Sequence, residues 1–282
     1  STYIVSSGVT SSGITLSAGD LMEVSGTAIG TIDGGEVEVF AGGVASATTV
    51  GSGGVLLAGT GTEIGTVVKS AGLEQIGGSG TDIDTVVSSG GVQWLYASAT
   101  ASSTTLSGGT QILGGVTSSI PFGIQATSGG TAIGDVVDSG GQEYVGTSAT
   151  ASGTVVHSGG TQQIGGSTTW SYYYGLSAGS SATMSTNLSG GVASNAVVIG
   201  GGIEIVASGG TTIGTSAYGE EEVVGGGVAS ATTVESGGVI ITGSSTESGT
   251  VVMSGGLAQI GSASIDIDTV VSSGGVQWAY EG

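Results

Sequence analysis

The sequence of 282 residues contains no cysteine, a single proline and only one lysine or arginine, Lys69. Without cysteine, disulfides and thiolate metal sites are excluded. One cationic side chain against 21 acidic residues cannot neutralise a nucleic-acid backbone or hold the chain on an anionic membrane surface. No apolar run reaches the roughly 18 residues of a membrane-spanning helix. We therefore expect neither nucleic-acid binding nor membrane insertion of this segment.

Aromatic residues account for only 5% of the chain, whereas glycine alone contributes 61 residues. A chain so rich in Gly, Ser and Thr raises the question of disorder. However, 38% of the residues are hydrophobic, and most of these are Val, Ile, Leu and Ala in a repeating pattern. Disordered acidic chains are poor in such residues, so the composition indicates a folded β protein.

The string S-G-G, or a close relative of it, recurs along the chain. Where nothing is inserted, the step is 18 or 19 residues. Short Val-, Ile- and Thr-rich runs separate these glycine turns, which is typical of short strands at a fixed period. The pattern predicts an all-β fold, a right-handed parallel β-helix (solenoid) of about 14 rungs. The turns begin at Ser52, Ser70, Ser89, Ser107, Ser139, Ser158, Ser236, Ser254 and Ser273.

Two sets of residues keep a constant distance from the glycine turns. An apolar residue four positions beyond Gly-Gly is predicted to point into the core, and a Gln or Glu two positions beyond it to form a stacked polar ladder. The apolar set is Ile76, Leu95, Leu113, Val145, Ile164 and Ile260. The polar set is Glu74, Gln93, Gln111, Gln162 and Gln277.

Larger features are superimposed on this short repeat. Insertions are predicted near 115–127 and 167–188, where the period breaks, and insertions in solenoids form surface loops. Residues 42–98 and 226–282 align without gaps with about 40 identities in 57, which indicates duplication of a block of rungs. We expect one β-helical domain over 1–282, and we interpret it as a fragment of a longer repetitive protein.

The strings "SGGTQQIGG", "SGGTQILGG" and "SATASGTVVHSGG" resemble the passenger repeat of the AIDA-type autotransporter adhesins, a family that includes self-associating adhesins. The resemblance covers nearly the whole chain outside the insertions. It implies a secreted β-helical stalk or adhesin on a bacterial outer surface or in the extracellular space. It also implies glycosylation of Ser and Thr by a dedicated glycosyltransferase.

Aromatic side chains in the insertions are the candidate ligand or self-association residues. They offer flat apolar area with a polar tip, which suits contact with a glycan or a protein. Folding back onto the rod is the structural alternative. Trp94 and Trp278 occupy equivalent repeat positions and are predicted to form a surface ladder. The candidates are Trp170, Tyr172, Tyr173, Tyr174 and Phe122.

The acidic residues suggest weak cation binding and, less strongly, catalysis. On a strand, the aspartates of "TDIDT" would share one face, and a carboxylate pair is what some polysaccharide-active β-helix enzymes use. No Arg, Lys or His accompanies them, so we expect a solvated face with no firm metal site. His157, the only histidine, is expected at a solvent-facing turn. The weak cation candidates are Asp82, Asp84, Asp266, Asp268, Glu220, Glu221 and Glu222.

We therefore expect a non-catalytic adhesin or stalk without a cofactor. Its expected partner is a second copy of itself, as in aggregation or biofilm, or a host glycan or protein. The alternatives are a polysaccharide-active β-helix enzyme, a calcium-binding structural repeat and an ice-binding threonine array. The calcium hypothesis is based on "GGSGTDID" at 77–84, which is similar to a calcium-roll nonapeptide. The ice-binding hypothesis is based on the threonine pairs in "TTV", "STTL" and "ATTV".

Overall fold

The computed structural model describes residues 1–114, 129–173, 181–187 and 190–280; for 167–173 and 181–187 it gives the backbone pairing only. Three long parallel sheets wrap around one axis and make a right-handed parallel β-helix, as predicted. Each rung contributes one strand to each sheet in turn, and equivalent strands of successive rungs pair in register. We call the sheets 1, 2 and 3, with 14, 13 and 13 strands.

The strand bounds show the same order in every rung. Sheet 1 consists of Thr2–Val5, Leu21–Val24, Glu36–Val39, Val55–Ala58, Leu73–Ile76, Val92–Leu95, Thr110–Leu113, Gln142–Val145, Thr161–Ile164, Ile203–Val206, Glu220–Val224, Val239–Gly243, Leu257–Ile260 and Val276–Ala279. Sheet 2 consists of Thr10–Ser12, Thr27–Ile29, Val44–Ser46, Thr62–Ile64, Thr81–Ile83, Thr100–Ser102, Thr131–Ile133, Thr150–Ser152, Val192–Ser194, Thr211–Ile213, Val228–Ser230, Thr246–Ser248 and Ile265–Ile267. Sheet 3 consists of Thr15–Leu16, Ile32–Asp33, Thr49–Val50, Val67–Val68, Val86–Ser88, Thr105–Ser107, Val136–Val137, Val155–Val156, Val197–Val198, Ser216–Ala217, Thr233–Val234, Val251–Val252 and Val270–Val271.

The S-G-G signature is explained by the turn from sheet 3 to sheet 1. In the rung that begins at Ser89, Gly90 has φ +75°, and a Cβ on Gly91 would lie 2.7 Å from the carbonyl oxygen of Val68. The first glycine therefore provides a left-handed conformation, and the second leaves space for the neighbouring rung. Ala71 takes the position of the first glycine at φ 59°, so only the second position excludes every side chain on steric grounds.

The core combines an aliphatic spine with small residues. The fourth positions of the sheet 1 strands and the second positions of the sheet 3 strands point inward, and the predicted inward set is confirmed because each member is 8% exposed or less. Leu95 and Leu106, for example, are fully buried. Each such side chain contributes about 1.5 to 3 kcal/mol by leaving water, and no rung can bury its residues without its neighbours.

One expectation about the exterior, the tryptophan ladder, is not met. Trp94 is 1% exposed whereas Trp278 is 52% exposed, and their strands are not neighbours in sheet 1, so the predicted surface ladder of these tryptophans is wrong. Ser167–Tyr173 and Ser181–Asn187 pair as antiparallel strands, here called the hairpin, and both lie within the predicted second insertion. Among the described residues there is no helix long and apolar enough to cross a membrane.

Candidate functional site

The most unusual feature of the molecule is a column of carboxyl groups inside the solenoid. Among the described residues, nine acidic residues are 1% exposed or less. The only Lys or Arg, Lys69, is exposed, so it does not offset these buried acids. The nine are Asp33, Glu63, Glu74, Asp82, Asp135, Glu143, Glu204, Glu221 and Glu247.

Most of these acids occupy one corner of the helix, between sheets 1 and 2. The second residue of a sheet 1 strand and the middle residue of the next sheet 2 strand point into the same space. One is usually large or polar and the other small, as in Gln93 with Ala101 and Glu143 with Ala151. Among the described rungs, the rung of Glu74 and Asp82 alone has a carboxyl at both positions.

Gln93 connects the acids at this corner. Its Nε2 donates to Glu74 Oε2 at 2.8 Å and to Asp82 Oδ2 at 2.7 Å, while Thr85 Oγ1 donates to Asp82 Oδ1 at 2.7 Å. On its other side, Gln93 Oε1 accepts a 2.8 Å hydrogen bond from Gln111. The predicted polar ladder is therefore confirmed in this region. What the repeat pattern did not reveal is that the ladder faces inward.

Similar contacts hold acids further along the rod. Glu204 accepts hydrogen bonds from Thr212 at 3.2 Å and Thr215 at 2.9 Å, and Gln162 donates to Glu143 at 2.7 Å. The threonine that precedes sheet 3 thus serves as an internal donor. The recurring T-V-V string predicts this role only when it is known which side of the strand faces the interior.

Burial raises the pKa of most of these carboxyls, because the ionised form loses its hydration. Desolvation raises the pKa of Asp33, Asp135, Glu204 and Glu247 to about 7. Desolvation, together with neighbouring carboxylates, raises the pKa of Glu63, Asp82, Glu143 and Glu221 well above the ordinary value. The interior is therefore a largely protonated polar core at mildly acidic pH.

The aspartates predicted to share one face do not share it. Asp82 lies inside the rod, so the expectation of a solvated face is wrong for it. The strand ends at Ile83, and Asp84 is an exposed corner residue at φ 60°. Gly65 and Ser103 take this left-handed corner position in adjacent rungs. A glycosidic bond therefore cannot be flanked by Asp82 and Asp84, which removes the geometry that the enzymatic alternative requires.

The remaining cation candidates divide in the same way. Glu221 is buried, whereas Glu220 and Glu222 occupy the outward positions of Glu220–Val224. Asp266 is half-buried and accepts hydrogen bonds from Gln277 and Thr269, and Asp268 repeats the exposed left-handed corner at φ 57°. The sequence-predicted acids are thus distributed between the interior, the outer face and the corners rather than gathered into one external site.

The aromatic candidates lie either in the hairpin, of which only the backbone pairing is described, or outside the described residues. Trp170, Tyr172 and Tyr173 belong to the hairpin strand Ser167–Tyr173, where they pair with Met184, Ala182 and Ser181. Tyr174 and Phe122 lie outside the described residues. The binding role of these aromatics stays a prediction.

His157 occupies the exposed turn that the sequence predicted. Its side chain is 43% exposed, and Nδ1 lies 2.7 Å from Asp138 Oδ1 in the preceding rung. A histidine that serves as a catalytic base in a triad is held and oriented away from bulk solvent. The pair is therefore a surface contact between neighbouring turns.

The outward face of sheet 2 carries no charge. Every outward position in its strands is Thr, Ser, Val or Ile, and the threonines of five successive strands align in one column, from Thr62 through Thr81, Thr100 and Thr131 to Thr150. The threonine pairs on which the ice-binding alternative rested are placed differently, because the first of each pair is buried, as at Thr48 and Thr104.

The serines of the S-G-G turns form a second repeated surface feature. Successive turns stack, so that a Cβ on Gly90 would meet Ser70 Oγ at 2.8 Å and one on Gly159 would meet Ser139 Oγ at 2.8 Å. A row of hydroxyls therefore follows the edge between sheets 3 and 1. The exposed members are Ser52, Ser70, Ser89, Ser107, Ser139, Ser158, Ser236, Ser254 and Ser273.

No protein-family model and no curated protein matches the chain. Among solved structures, the chain is similar to a fragment of TibA that is hyper-glycosylated by TibC, with a TM-score of 0.70. The two share 23% sequence identity, and the match covers 100% of this chain and 99% of that one. At this identity the similarity supports the fold alone, which is the parallel β-helix described above.

Proposed function

We propose that the chain is a non-catalytic rod of an extracellular adhesin, which associates with a second copy of itself through the outward face of sheet 2. The observation that carries the proposal is the absence of charge from that face, in a chain with a formal charge of −20. Like-charged rods repel one another. Close contact between two copies is therefore least costly along a face without carboxylates.

The dimensions of this face fit a specific contact. Thirteen strands at a spacing of about 4.8 Å give a length of roughly 60 Å. Three residues across give a width of roughly 10 Å, so each copy offers roughly 600 Å². That is near the lower end for a specific protein complex. Exposed isoleucines such as Ile133 and Ile213, at 48% and 46% exposure, supply the apolar part.

A two-colour mixing assay tests the proposal. Cells that display the chain should form mixed clumps only when both populations carry it. Ile64→Glu with Ile133→Glu places charge on the sheet 2 face and should abolish clumping. Ile205→Glu, a matched control on the outward face of sheet 1, should leave it intact. Clumping that survives the sheet 2 changes would refute this face as the contact.

We further propose that the serine row is an acceptor for O-glycosylation. Its support is the exposure of those hydroxyls, together with the similarity to a protein whose solved fragment carries many glycans. Co-expression with a glycosyltransferase of the type that the AIDA resemblance implies, followed by peptide mass spectrometry, should place sugars on Ser89 and Ser139 before buried hydroxyls such as Thr104. An unmodified serine row would contradict the assignment.

The host-directed form of the adhesin hypothesis makes a different prediction. If the aromatic hairpin binds a glycan or protein, binding should depend on Trp170 and Tyr172 and not on the sheet 2 face. Cells that fail to clump with one another but bind a glycan array would favour this second form. Replacing both residues with alanine should then remove the array signal.

A further inference from the structure

Glu63, Glu74 and Asp82 form a cluster of three carboxyl groups within the buried column. One carboxylate oxygen from each lies within 4.8 Å of the other two, and all three side chains are buried. The cluster joins two adjacent rungs, because Glu63 and Asp82 are paired neighbours in sheet 2, and Glu74 is in sheet 1. It is built around the one described rung with two inward carboxyls.

Among the described residues, Glu63 is the acid without a hydrogen-bond donor that belongs to a cluster of three carboxyls; Glu247 also lacks a donor. The side chain of Glu63 is fully buried, and neither of its oxygens accepts a hydrogen bond from an N–H or hydroxyl group of the described residues. Glu74 and Asp82 each have such donors, from Gln93 and Thr85. A buried carboxyl group without a donor is neutralised either by a proton, which Glu63 would share with Glu74, or by a cation, because an unpaired buried charge costs several kcal/mol.

We propose that Glu63, Glu74 and Asp82 bind one calcium ion inside the solenoid. Three oxygens that lie within 4.8 Å of one another can all be ligands of one ion at the calcium–oxygen distance of about 2.4 Å. The hydroxyl of Thr85 lies 3.4 Å from Glu74 Oε1 and supplies a neutral oxygen. The site offers only oxygen ligands and is closed to solvent, which suits calcium better than magnesium, since magnesium retains several waters.

The duplicated block provides a natural control. At an offset of 184 residues, five positions of the site recur unchanged, since Glu63, Thr66, Asp82, Thr85 and Gln93 correspond to Glu247, Thr250, Asp266, Thr269 and Gln277. The sixth position differs, because Ala258 replaces Glu74. The second copy therefore lacks one of the three carboxyls, and we infer that it does not hold the ion.

The test compares calcium binding by the full chain and three variants. Each is refolded at pH 8 with calcium or with EDTA, passed through a desalting column and assayed for bound metal and for Tm by circular dichroism. The wild type should retain one calcium, and its Tm should rise by roughly 5 °C when calcium is about 100-fold above Kd. Glu63→Gln and Glu74→Ala should lose both responses, and Glu247→Gln should keep both.

The two site variants are expected to fold. Glu63→Gln keeps the side-chain shape, and Glu74→Ala reproduces the composition of the second copy. Wild-type protein that retains no calcium, or calcium that Glu63→Gln retains equally well, would overturn the proposal. A Glu63→Gln variant that is more stable than the wild type in both calcium and EDTA would show that protons, not a metal, neutralise the cluster.

Discussion

The side-chain nitrogen of Gln111 donates a 2.8 Å hydrogen bond to the side-chain oxygen of Gln93 in the preceding rung. This contact fixes the orientation of Gln93, whose own nitrogen then faces Glu74 and Asp82. The hydrogen bonds therefore run in one direction along the axis, from Gln111 to Gln93 and from Gln93 to the two carboxyl groups. In this part of the polar interior, each side-chain amide donates towards the preceding rung.

Replacing Gln93 tests how much these hydrogen bonds contribute to stability. Gln93→Leu preserves volume but removes the donor to two buried carboxyls, so we expect the free energy of unfolding to fall by about 3 kcal/mol at pH 7. Urea denaturation followed by circular dichroism measures the change. Gln142→Leu, at a half-buried outward position in sheet 1, is the control and should change stability by less than about 1 kcal/mol. Equal effects would show that the internal hydrogen bonds are dispensable.

The buried acids predict an unusual dependence of stability on pH. The unfolded carboxyls titrate near pH 4, whereas Asp33 and Glu204 in the folded state have pKa values of about 7. Between these values the folded state holds more protons, so stability is greatest at the acidic end of the window and declines as the pH rises towards 7. Each group removes on the order of 3 kcal/mol over this range. Urea midpoints in EDTA that rise from pH 5 to pH 8 would contradict this prediction.

Asp33 allows this effect to be isolated at one residue. It occupies the aliphatic inward position of sheet 3, between Leu16 and Val50, and its Oδ1 accepts a 2.9 Å bond from the Gly35 amide. Asp33→Asn retains this acceptor and removes the titrating proton. We expect Asp33→Asn to stabilise the protein by about 3 kcal/mol more at pH 8 than at pH 5. The surface change Asp138→Asn should have no comparable effect, and a gain for Asp33→Asn that does not vary with pH would argue against titration.

The two glycines of one turn should differ in their tolerance of alanine. Gly90→Ala requires a left-handed alanine, which Ala71 already adopts at the equivalent turn, and should cost about 1 to 2 kcal/mol. Gly91→Ala places a Cβ 2.7 Å from the Val68 carbonyl oxygen and should cost about 3 kcal/mol or more, because backbone must move. Thermal unfolding of the two variants gives the comparison. Equal costs would show that the rungs adjust their spacing easily.

Deleting the hairpin tests whether folding and ligand binding depend on different parts of the chain. Deletion of 167–189 leaves four residues between Ile164 and Val192, the same number as between Ile76 and Thr81 in a regular rung. The β-type circular dichroism spectrum should persist, whereas binding that depends on Trp170 should disappear. Loss of the β signal would mean that the hairpin is required for folding. Unchanged ligand binding would mean that its aromatics are not contact residues.

The repeat period was sufficient to predict the architecture and the aliphatic core. Gly-Gly fixes where each rung turns, so residues counted from it, such as Ile76 and Leu95, could be assigned to the interior. Counting did not show the side of the strand on which Asp82 lies, since a short strand followed by a left-handed residue breaks the alternation between Asp82 and Asp84. The inward direction of Glu74 depends on contacts with other rungs, which a single rung does not specify.

The general expectation that charged residues lie on the surface also failed for this chain. That expectation applies where the core offers a buried acid no neutral hydrogen-bond donor. Here several rungs offer a Thr or Gln at a fixed height, as with Thr215 and Glu204, so these acids lie in the core in register with their donors. A T-V-V string that begins three residues after an acid, as Thr85 follows Asp82, is the sequence signal that could have indicated this arrangement.

The enclosed acids also affect how the molecule moves in an electric field. If the six buried acids outside the Glu63, Glu74 and Asp82 cluster are protonated, the formal charge falls from −20 to −14, because each retained proton cancels one negative charge. Native protein at pH 6 should therefore migrate more slowly towards the anode than its composition implies, and its native isoelectric point should lie above the sequence value of about 4.1. Unfolding would release these protons to the buffer and give the chain its full electrophoretic charge.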